Sequence, residues 1–182
     1  MQVIKCELEG LVLVVPDAYT DARGYFMETW HKQRYAEHGI NWPFVQDNLS
    51  FSRQGVLRGL HFQNPTPQGK LISILQGEVF DVAVDIRRSS PTFKRWQGFI
   101  LSSENKHQLF IPPGFAHGFL VLSETALCSY KCTEFYSKSD ELTIRWNDPD
   151  IGIKWPIENP ILSQKDATAA FLRELPADRL FP

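Results

Sequence analysis

The stretch L-I-S-I-L-Q-G-E-V-F-D-V-A-V-D-I, residues Leu71–Ile86, predicts two β-strands joined by a tight turn. β-Branched and aromatic residues favour strands in both halves, and Gln76-Gly77 lies between the halves as a natural turn dipeptide. Because successive side chains of a strand point to opposite faces, the second strand has one wholly apolar face. Its other face carries Asp81 and Asp85 beside small or apolar residues. Such a mixed face is typical of a barrel that encloses a polar ligand.

The same strand pattern recurs along most of the chain. Further strands are predicted at Leu11–Val15, Val56–Phe62, Trp96–Leu101, Gln108–Ile111, Ala116–Leu122 and Ala126–Thr133. Eight short strands at a spacing of roughly ten residues indicate an all-β domain, either a barrel or a sandwich. Short helices are expected only at Thr29–His38 and Gln164–Leu172. No linker, repeat or low-complexity segment divides the chain, so residues 1–182 are expected to form one domain.

Composition narrows the class of protein. The 182 residues include 19 Lys and Arg against 21 Asp and Glu, a net charge of −2. A duplex nucleic-acid binder needs an excess of basic residues, so that class is disfavoured, whereas a ligand with one or two phosphates is not. No 18-residue apolar run predicts a transmembrane helix, and the charged N-terminus does not resemble a signal peptide. The cysteines Cys6, Cys128 and Cys132 have no metal-binding spacing, which favours reduced thiols in a cytoplasmic protein.

Two stretches bear on whether the barrel holds a metal ion. The segment I-P-P-G-F-A-H, residues Ile111–His117, resembles the second motif of the cupins. The first cupin motif is incomplete, because H-F-Q at His61–Gln63 offers one imidazole where metal cupins have two, and glutamine is a poor ligand for transition metals. A facial triad of His61, His117 and one carboxylate stays open. The sequence favours a barrel with neither metal nor cofactor.

Arg58, His61 and Lys70 lie within thirteen residues of mostly strand-like sequence. They are either solvated surface charges around a core histidine, or part of a site. A regular strand would place Arg58 and His61 on opposite faces, but Gly59 between them is a position where a β-bulge could form.

Sequence blocks along the chain decide between these interpretations. They are D-A-R-G-Y-F-M-E (Asp21–Glu28), F-V-Q-D-N-L-S (Phe44–Ser50), G-V-L-R-G-L-H-F-Q (Gly55–Gln63), G-E-V-F-D-V-A-V-D-I-R (Gly77–Arg87), S-P-T-F (Ser90–Phe93), L-S-S-E-N (Leu101–Asn105), I-P-P-G-F-A-H-G-F (Ile111–Phe119), Y-K-C-T-E-F-Y (Tyr130–Tyr136), W-N-D-P (Trp146–Pro149), I-G-I-K-W-P (Ile151–Pro156) and L-S-Q-K-D (Leu162–Asp166). In this order, from about residue 10 to residue 170, they resemble the family of dTDP-4-dehydrorhamnose 3,5-epimerases. The resemblance implies an all-β, cupin-like antiparallel jelly-roll barrel with a few short peripheral helices.

The resemblance also implies a set of catalytic residues that the chemistry explains. In a 4-keto sugar the protons on C3 and C5 are acidified by the carbonyl, and inversion needs a base on one face and an acid on the other. His61 is the implied base, since an imidazole titrates near neutral pH, and Asp166 is its implied orienting carboxylate. Lys70 would stabilise the enolate oxygen electrostatically, and Tyr130 would return a proton to the opposite face.

Nine further residues match family positions that hold the sugar nucleotide. They are Arg23, Phe26, Glu28, Gln46, Asn48, Arg58, His117, Tyr136 and Lys165. Arginine suits this role because its guanidinium makes bidentate contacts with phosphate. Phe26 and Tyr136 would sandwich the thymine ring, with Phe135 as the alternative to Tyr136. In the family the N-terminal segment crosses to a partner subunit, which implies a homodimer with shared sites.

Three other functions remain in competition. A related enzyme that inverts only C3 or only C5 would use the same His, Lys and Tyr, so the motifs discriminate poorly between one and two inversions. A catalytically inactive sugar-nucleotide-binding cupin is disfavoured by the intact set of His61, Lys70, Tyr130 and Asp166. A metal-dependent cupin oxygenase is disfavoured by Gln63.

Overall fold

The computed structural model describes residues 1–182, which form thirteen β-strands and two short α-helices. The strands are β1 (Gln2–Lys5), β2 (Val12–Val15), β3 (Ala18–Asp21), β4 (Gly24–Met27), β5 (Gln46–Arg53), β6 (Leu57–Gln63), β7 (Lys70–Gln76), β8 (Glu78–Asp85), β9 (Trp96–Ser102), β10 (Gln108–Ile111), β11 (Phe115–Val121), β12 (Thr125–Cys132) and β13 (Glu141–Thr143). The helices are α1 (Lys32–Ala36) and α2 (Gln164–Ala167), and 3₁₀ turns follow at Leu172–Glu174 and Ala177–Arg179.

Two antiparallel sheets make up the body of the protein. The six-stranded sheet has the order β1-β2-β10-β7-β12-β5, and the five-stranded sheet has the order β13-β6-β11-β8-β9. Strands β3 and β4 form a separate two-stranded hairpin. The fold is a cupin-like antiparallel jelly roll, in which strands that are neighbours in sequence often lie in opposite sheets.

The main apolar core lies between the two sheets. Most of its fifteen buried residues come from the two sheets, including Ile72 of β7 in one sheet and Val79, Phe119 and Val121 of β8 and β11 in the other. A second cluster, which contains Leu60, Val82 and Ile144, packs on the far side of the five-stranded sheet against the C-terminal segment. Core residues such as these leave the sheets little freedom to shift relative to each other.

All eight strands predicted from the sequence are present, with ends that agree to within one residue. Five further strands were missed: β1, β3, β4, β5 and β13. Every residue of β3 and the first three of β4 are exposed, so these strands lack the buried alternation that identifies a strand. In β5 the apolar residues Leu49 and Phe51 face outwards, against the usual pattern.

Both helices are shorter than expected. The segment predicted at Thr29–His38 is helical only over Lys32–Ala36, where the His31 side chain accepts a hydrogen bond from the backbone N–H of Arg34 at 3.3 Å. The segment predicted at Gln164–Leu172 is helical only to Ala167, and a 3₁₀ turn begins at Leu172. No helix of the structure is both long enough and apolar enough to span a membrane.

Candidate active site

A cavity of about 200 Å³ opens on the side chains of the strand residues predicted to be catalytic. Its lining residues are Ser50, Arg58, His61, Lys70, His117, Phe119 and Tyr130. The five-stranded sheet contributes Arg58 and His61 from β6 and His117 and Phe119 from β11. The six-stranded sheet contributes Ser50 from β5, Lys70 from β7 and Tyr130 from β12. The cavity is therefore walled by both sheets.

A β-bulge brings Arg58 and His61 to the same cavity. His117 pairs with His61 and Phe119 pairs with Arg58, so two steps along β11 match three steps along β6. Gly59 lies in the bulge with a φ of +129°, and a Cβ atom there would lie 2.5 Å from the Cα of Gly118. Only glycine fits this backbone and this close approach. The bulge foreseen from the sequence is present.

His61 and Asp166 form a hydrogen-bonded pair across 105 residues of sequence. The Nε2 of His61 lies 2.6 Å from Oδ1 of Asp166, and the Ser163 hydroxyl donates to the other carboxylate oxygen at 2.8 Å. Ser163 also caps α2, the helix that carries the nearly fully buried Asp166. With its Nε2 proton directed to Asp166, the neutral imidazole has its lone pair on Nδ1, the atom able to accept a proton.

The surroundings adjust the proton affinities of this pair. Burial lowers the pKa of His61, and the hydrogen bond with Asp166 offsets only part of that effect. Burial alone would raise the pKa of Asp166, but the hydrogen bonds from His61 and Ser163 hold it below its ordinary value. At neutral pH the imidazole is therefore neutral and the carboxylate is ionised, as a general base of this kind requires.

Lys70 and Tyr130 lie on adjacent strands of the opposite sheet. None of the ten ion pairs of the protein involves Lys70, and burial lowers its pKa. Burial raises the pKa of Tyr130, so the phenol keeps its proton at neutral pH. A lysine without an ion-pair partner and a protonated phenol thus line one wall of the cavity, and His61 lines the other.

His117 is held by a different carboxylate. Its Nε2 lies 3.0 and 2.9 Å from the two carboxylate oxygens of Asp81, a residue of β8 with no exposed surface. His61 and His117 are cross-strand neighbours, yet no group of three or more His, Cys, Asp or Glu side chains is placed to hold a metal ion. Each imidazole instead directs its Nε2 to its own carboxylate.

Four predicted nucleotide-binding residues that do not line this cavity are linked by hydrogen bonds, directly or through Glu141. Gln46 accepts a hydrogen bond from the backbone N–H of Tyr136 at 2.9 Å and donates to Asn48 at 2.9 Å. Glu141, which the sequence analysis missed, accepts from Lys165 at 2.8 Å and from the Tyr136 hydroxyl at 3.1 Å. These contacts place Tyr136 and Lys165 beside the same carboxylate.

The guanidinium of Arg58 is held through some of its N–H groups and keeps others free for a ligand. Its Nε donates to the Ser52 hydroxyl at 3.0 Å, which leaves other N–H donors of the guanidinium available to a ligand. It lines the same cavity as His61, Lys70 and His117, so four basic side chains converge there.

The structure does not bring the three N-terminal candidates to this cavity. Arg23 lies on the β3–β4 hairpin with an exposed guanidinium bound to Asp21 at 2.6 Å, and the Glu28 carboxylate is paired with Arg34. Phe26 is 71% exposed. These residues line three other surface cavities, and none of the three shares a residue with the cavity that holds His61.

Several side chains of the site were not singled out from the sequence. Ser50 and Phe119 stand inside two of the quoted blocks, and Asp81 was noted only as a polar residue on a strand face. Glu141 had no signal, because it lies in a three-residue strand that the sequence does not predict.

Known proteins resemble this chain along nearly its whole length. A family model described as dTDP-4-dehydrorhamnose 3,5-epimerase matches residues 5–174. The dTDP-4-dehydrorhamnose 3,5-epimerase of Methanothermobacter thermautotrophicus is 52% identical over 176 residues, 95% of each protein. That of Shigella flexneri is 54% identical over 168 residues, 91% of this chain and 93% of that one. The crystal structure of dTDP-6-deoxy-D-glucose-3,5-epimerase from Legionella pneumophila with dTDP-4-keto-L-rhamnose has a TM-score of 0.96 and 50% identity, covering 99% of this chain and 97% of that chain.

Proposed function

Because the chain belongs to the family of dTDP-4-dehydrorhamnose 3,5-epimerases, we propose that it is an isomerase that inverts C3 and C5 of dTDP-4-dehydro-6-deoxy-D-glucose. The product is dTDP-4-dehydro-L-rhamnose, an intermediate of dTDP-L-rhamnose biosynthesis. Among the solved relatives, the Legionella pneumophila enzyme holds dTDP-4-keto-L-rhamnose.

One observation carries the proposal. The candidate base His61 and the candidate acid Tyr130 belong to opposite sheets, and the unpaired cation Lys70 lines the same cavity. A hexose ring between the sheets would present one face to each group. This arrangement suits inversion, since the proton leaves from one face and a different proton arrives on the other.

The proposed reaction conserves protons at each carbon. His61 takes the proton from C3 or C5 through Nδ1, and the C–H electron pair moves into an enolate whose oxygen faces the Lys70 ammonium. Tyr130 gives its phenolic proton to the opposite face of the carbon. His61 is then a cation and Tyr130 a phenolate, and proton exchange with solvent restores both before the second inversion. Asp166 stabilises the imidazolium that forms.

The nucleotide is proposed to lie across the rim of the cavity. Arg58 would hold the diphosphate, and His117 would contact the sugar from the wall that carries His61. Gln46, Asn48, Tyr136 and Lys165 would surround the nucleoside half of the ligand. No resident metal or cofactor is part of the proposal.

We further propose that the active form is a homodimer in which the β3–β4 hairpin completes the site of the partner subunit. The support is the exposure of this hairpin, where Tyr19, Tyr25 and Phe26 all lie open to solvent. Leu49 and Phe51 are also exposed on the outer face of β5. Clustered apolar side chains of this kind are typical of a surface that a second chain covers. Arg23, Phe26 and Glu28 would then act in the partner's site.

A cytoplasmic location is inferred from the thiols. Cys6, Cys128 and Cys132 are all buried and unpaired, as expected where thiols stay reduced.

The test is proton NMR of the 4-keto sugar nucleotide with the protein in deuterated water containing a chelator. Exchange and inversion at both C3 and C5 are expected. Exchange at one carbon only would identify a single-carbon epimerase. Absence of exchange at both carbons would overturn the enzymatic proposal in favour of a binding protein.

A further inference from the structure

The segment Phe135–Ser137 carries two large aromatic rings and has no regular secondary structure of its own. It lies against Gln63, the last residue of β6, the strand that carries His61. Phe135 is 63% exposed and Tyr136 is 52% exposed. The segment lies in the connection between β12 and β13. Exposed rings on an irregular segment are normally mobile. The hydrogen bonds that fix this segment therefore decide how well its rings are ordered before a ligand stacks on them.

The Gln63 side chain holds the segment by hydrogen bonds to its backbone. Its Oε1 accepts the backbone N–H of Ser137 at 2.9 Å, and its Nε2 donates to the backbone carbonyl of Phe135 at 3.2 Å. The same Nε2 donates to the carbonyl of Thr66 at 2.8 Å. Gln63 is only 3% exposed, so water does not compete for these bonds.

Gln46 completes the attachment from the neighbouring sheet. Its Oε1 accepts the backbone N–H of Tyr136 at 2.9 Å. Three consecutive residues, Phe135 to Ser137, therefore each have one backbone group bound by a glutamine carboxamide. Gln63 comes from the five-stranded sheet and Gln46 from the six-stranded sheet, so the segment is fixed to both walls of the cavity.

The bonding pattern at Gln63 requires a carboxamide. The position accepts one N–H and donates to two carbonyls at the same time, which an ionised carboxylate cannot do because it has no donor. Every polar atom of the side chain is used within the protein. The residue two positions after His61 on β6 is thus committed to holding the aromatic segment, and its amide is not available to the cavity.

We propose that Gln63 is a positioning residue for nucleotide recognition, which orders Phe135 and Tyr136 before the nucleobase stacks on them. This inference rests on the proposed function, because the proposed substrate carries the nucleobase that would stack on these rings. Binding to a surface already ordered avoids the entropy cost of immobilising side chains on association. Gln63 would act on affinity for the nucleoside half of the ligand, and not on proton transfer at the sugar.

The first test compares Gln63→Met with Gln54→Met. Gln54 is a matched control, because its Nε2 donates to the carbonyl of Leu122 at 2.8 Å and so ties down a different loop. Titration calorimetry with dTDP is expected to show a loss of affinity of roughly tenfold for Gln63→Met and no loss for Gln54→Met. Affinity for inorganic pyrophosphate, which has no nucleobase, should be the same in both variants as in the wild type.

Steady-state kinetics separate positioning from a disturbance of the nearby His61. For Gln63→Met we expect KM to rise by a factor similar to the loss of dTDP affinity, with a much smaller fall in kcat. A fall in kcat with KM unchanged would show that the substitution acts through His61, and would overturn the proposal. If Gln63→Met does not fold, Gln63→Glu keeps the volume and the acceptor but loses both donors, and the same result is expected.

A double-mutant cycle with Phe135→Ala and Tyr136→Ala gives the decisive measurement. In the background that lacks both rings, adding Gln63→Met should cause no further loss of dTDP affinity. An equal loss in both backgrounds, or rings whose removal leaves dTDP affinity unchanged, would overturn the proposal. Either result leaves the proposed function intact, because that depends separately on epimerisation by the wild-type protein.

Discussion

His61 and His117 lie directly opposite each other on β6 and β11, and each imidazole binds a carboxylate from a different element. Asp166 of α2 holds His61 at 2.6 Å, whereas Asp81 of β8 contacts His117 through both of its oxygens. Two similar pairs thus stand side by side in one cavity wall. Of the two acidic partners, only Asp166 is itself fixed by a helix-capping serine, Ser163.

Replacing His61 should remove proton abstraction at both carbons. We expect His61→Asn to abolish deuterium exchange at C3 and at C5, because in the proposed mechanism one imidazole serves both carbons. Asp166→Asn should lower kcat on the order of 10³–10⁴-fold, since an amide at this position favours the wrong tautomer. NMR in deuterated water measures both effects. Exchange at either carbon near the wild-type rate in His61→Asn would show that His61 is not the common base.

Replacing Tyr130 should separate exchange from inversion. In Tyr130→Phe the base still forms the enolate, but the opposite face of the ring lacks its proton donor. Deuterium should enter C5 with retained configuration, while the yield of inverted product falls sharply. The two quantities come from one NMR time course. An unchanged yield would mean that water or another residue supplies the proton.

The pH profile of kcat/KM should have limbs set by two buried groups. Burial lowers the pKa of His61 from its ordinary 6.5, so the base stays neutral and activity is lost only as pH falls below about 6.5. Burial also lowers the pKa of Lys70 from 10.5, so the charge that stabilises the enolate is lost before that pH is reached. Activity should therefore decline on the alkaline side below pH 10.5.

Lys70→Arg tests the alkaline assignment. Arginine keeps its charge at any pH used for the assay, so the alkaline limb should move to higher pH, whatever the loss in maximal rate. Burial raises the pKa of Tyr130, and this phenol would then set the limb. A limb that stays in place in Lys70→Arg would exclude Lys70 as its source.

Gly59→Ala should destabilise the fold more than Gly24→Ala. Both glycines have similar positive φ values, +129° and +122°, so each substitution costs about 1–3 kcal/mol of backbone strain. A Cβ on Gly24 meets nothing within 4 Å, whereas one on Gly59 lies 2.5 Å from Gly118 and adds about 1–3 kcal/mol of overpacking. Equilibrium unfolding in denaturant measures the difference. Equal costs in the two variants would contradict the close packing at the bulge.

Shared sites predict that two impaired variants restore activity when they are mixed. Arg23→Ala should weaken nucleotide binding by about 1.5–3 kcal/mol through a lost charge-assisted contact. Mixing Arg23→Ala with His61→Asn under conditions of subunit exchange should restore activity, because one site of each heterodimer then carries both lesions and the other carries none. If heterodimers form and activity does not return, each site is built from a single chain.

The alternation of apolar and polar residues in the sequence was enough to locate the strands that bury one face in the core. It failed at β3 and β4, whose side chains face solvent, and at β5, whose apolar residues Leu49 and Phe51 point outwards. The apolar side chains of these strands are largely exposed within one chain, so burial leaves no pattern in their sequence. The fold class did not depend on them.

The site was less accessible to sequence reasoning than the fold. No spacing rule pairs His61 with Asp166, since their contact depends on where the C-terminal segment folds back, and only the family resemblance connected them. Asp81 was missed as the partner of His117 because the sequence does not show that β8 pairs with β11, and Glu141 was missed because β13 is too short to predict. The neighbours of Gln63 depend on the path of two loops, and loop paths are not encoded by residue periodicity.

Phe119 belongs both to the apolar core between the sheets and to the wall of the cavity. Sheets packed face to face lie about 10 Å apart, so the packing of that core sets the distance between the two cavity walls, where the proposed hexose would lie. Adding or removing one methylene at Val121 or Ile72 would widen or narrow the gap while every polar residue stayed in place. On the proposed function, such aliphatic positions would influence which sugar fits, although none of them carries a reactive group.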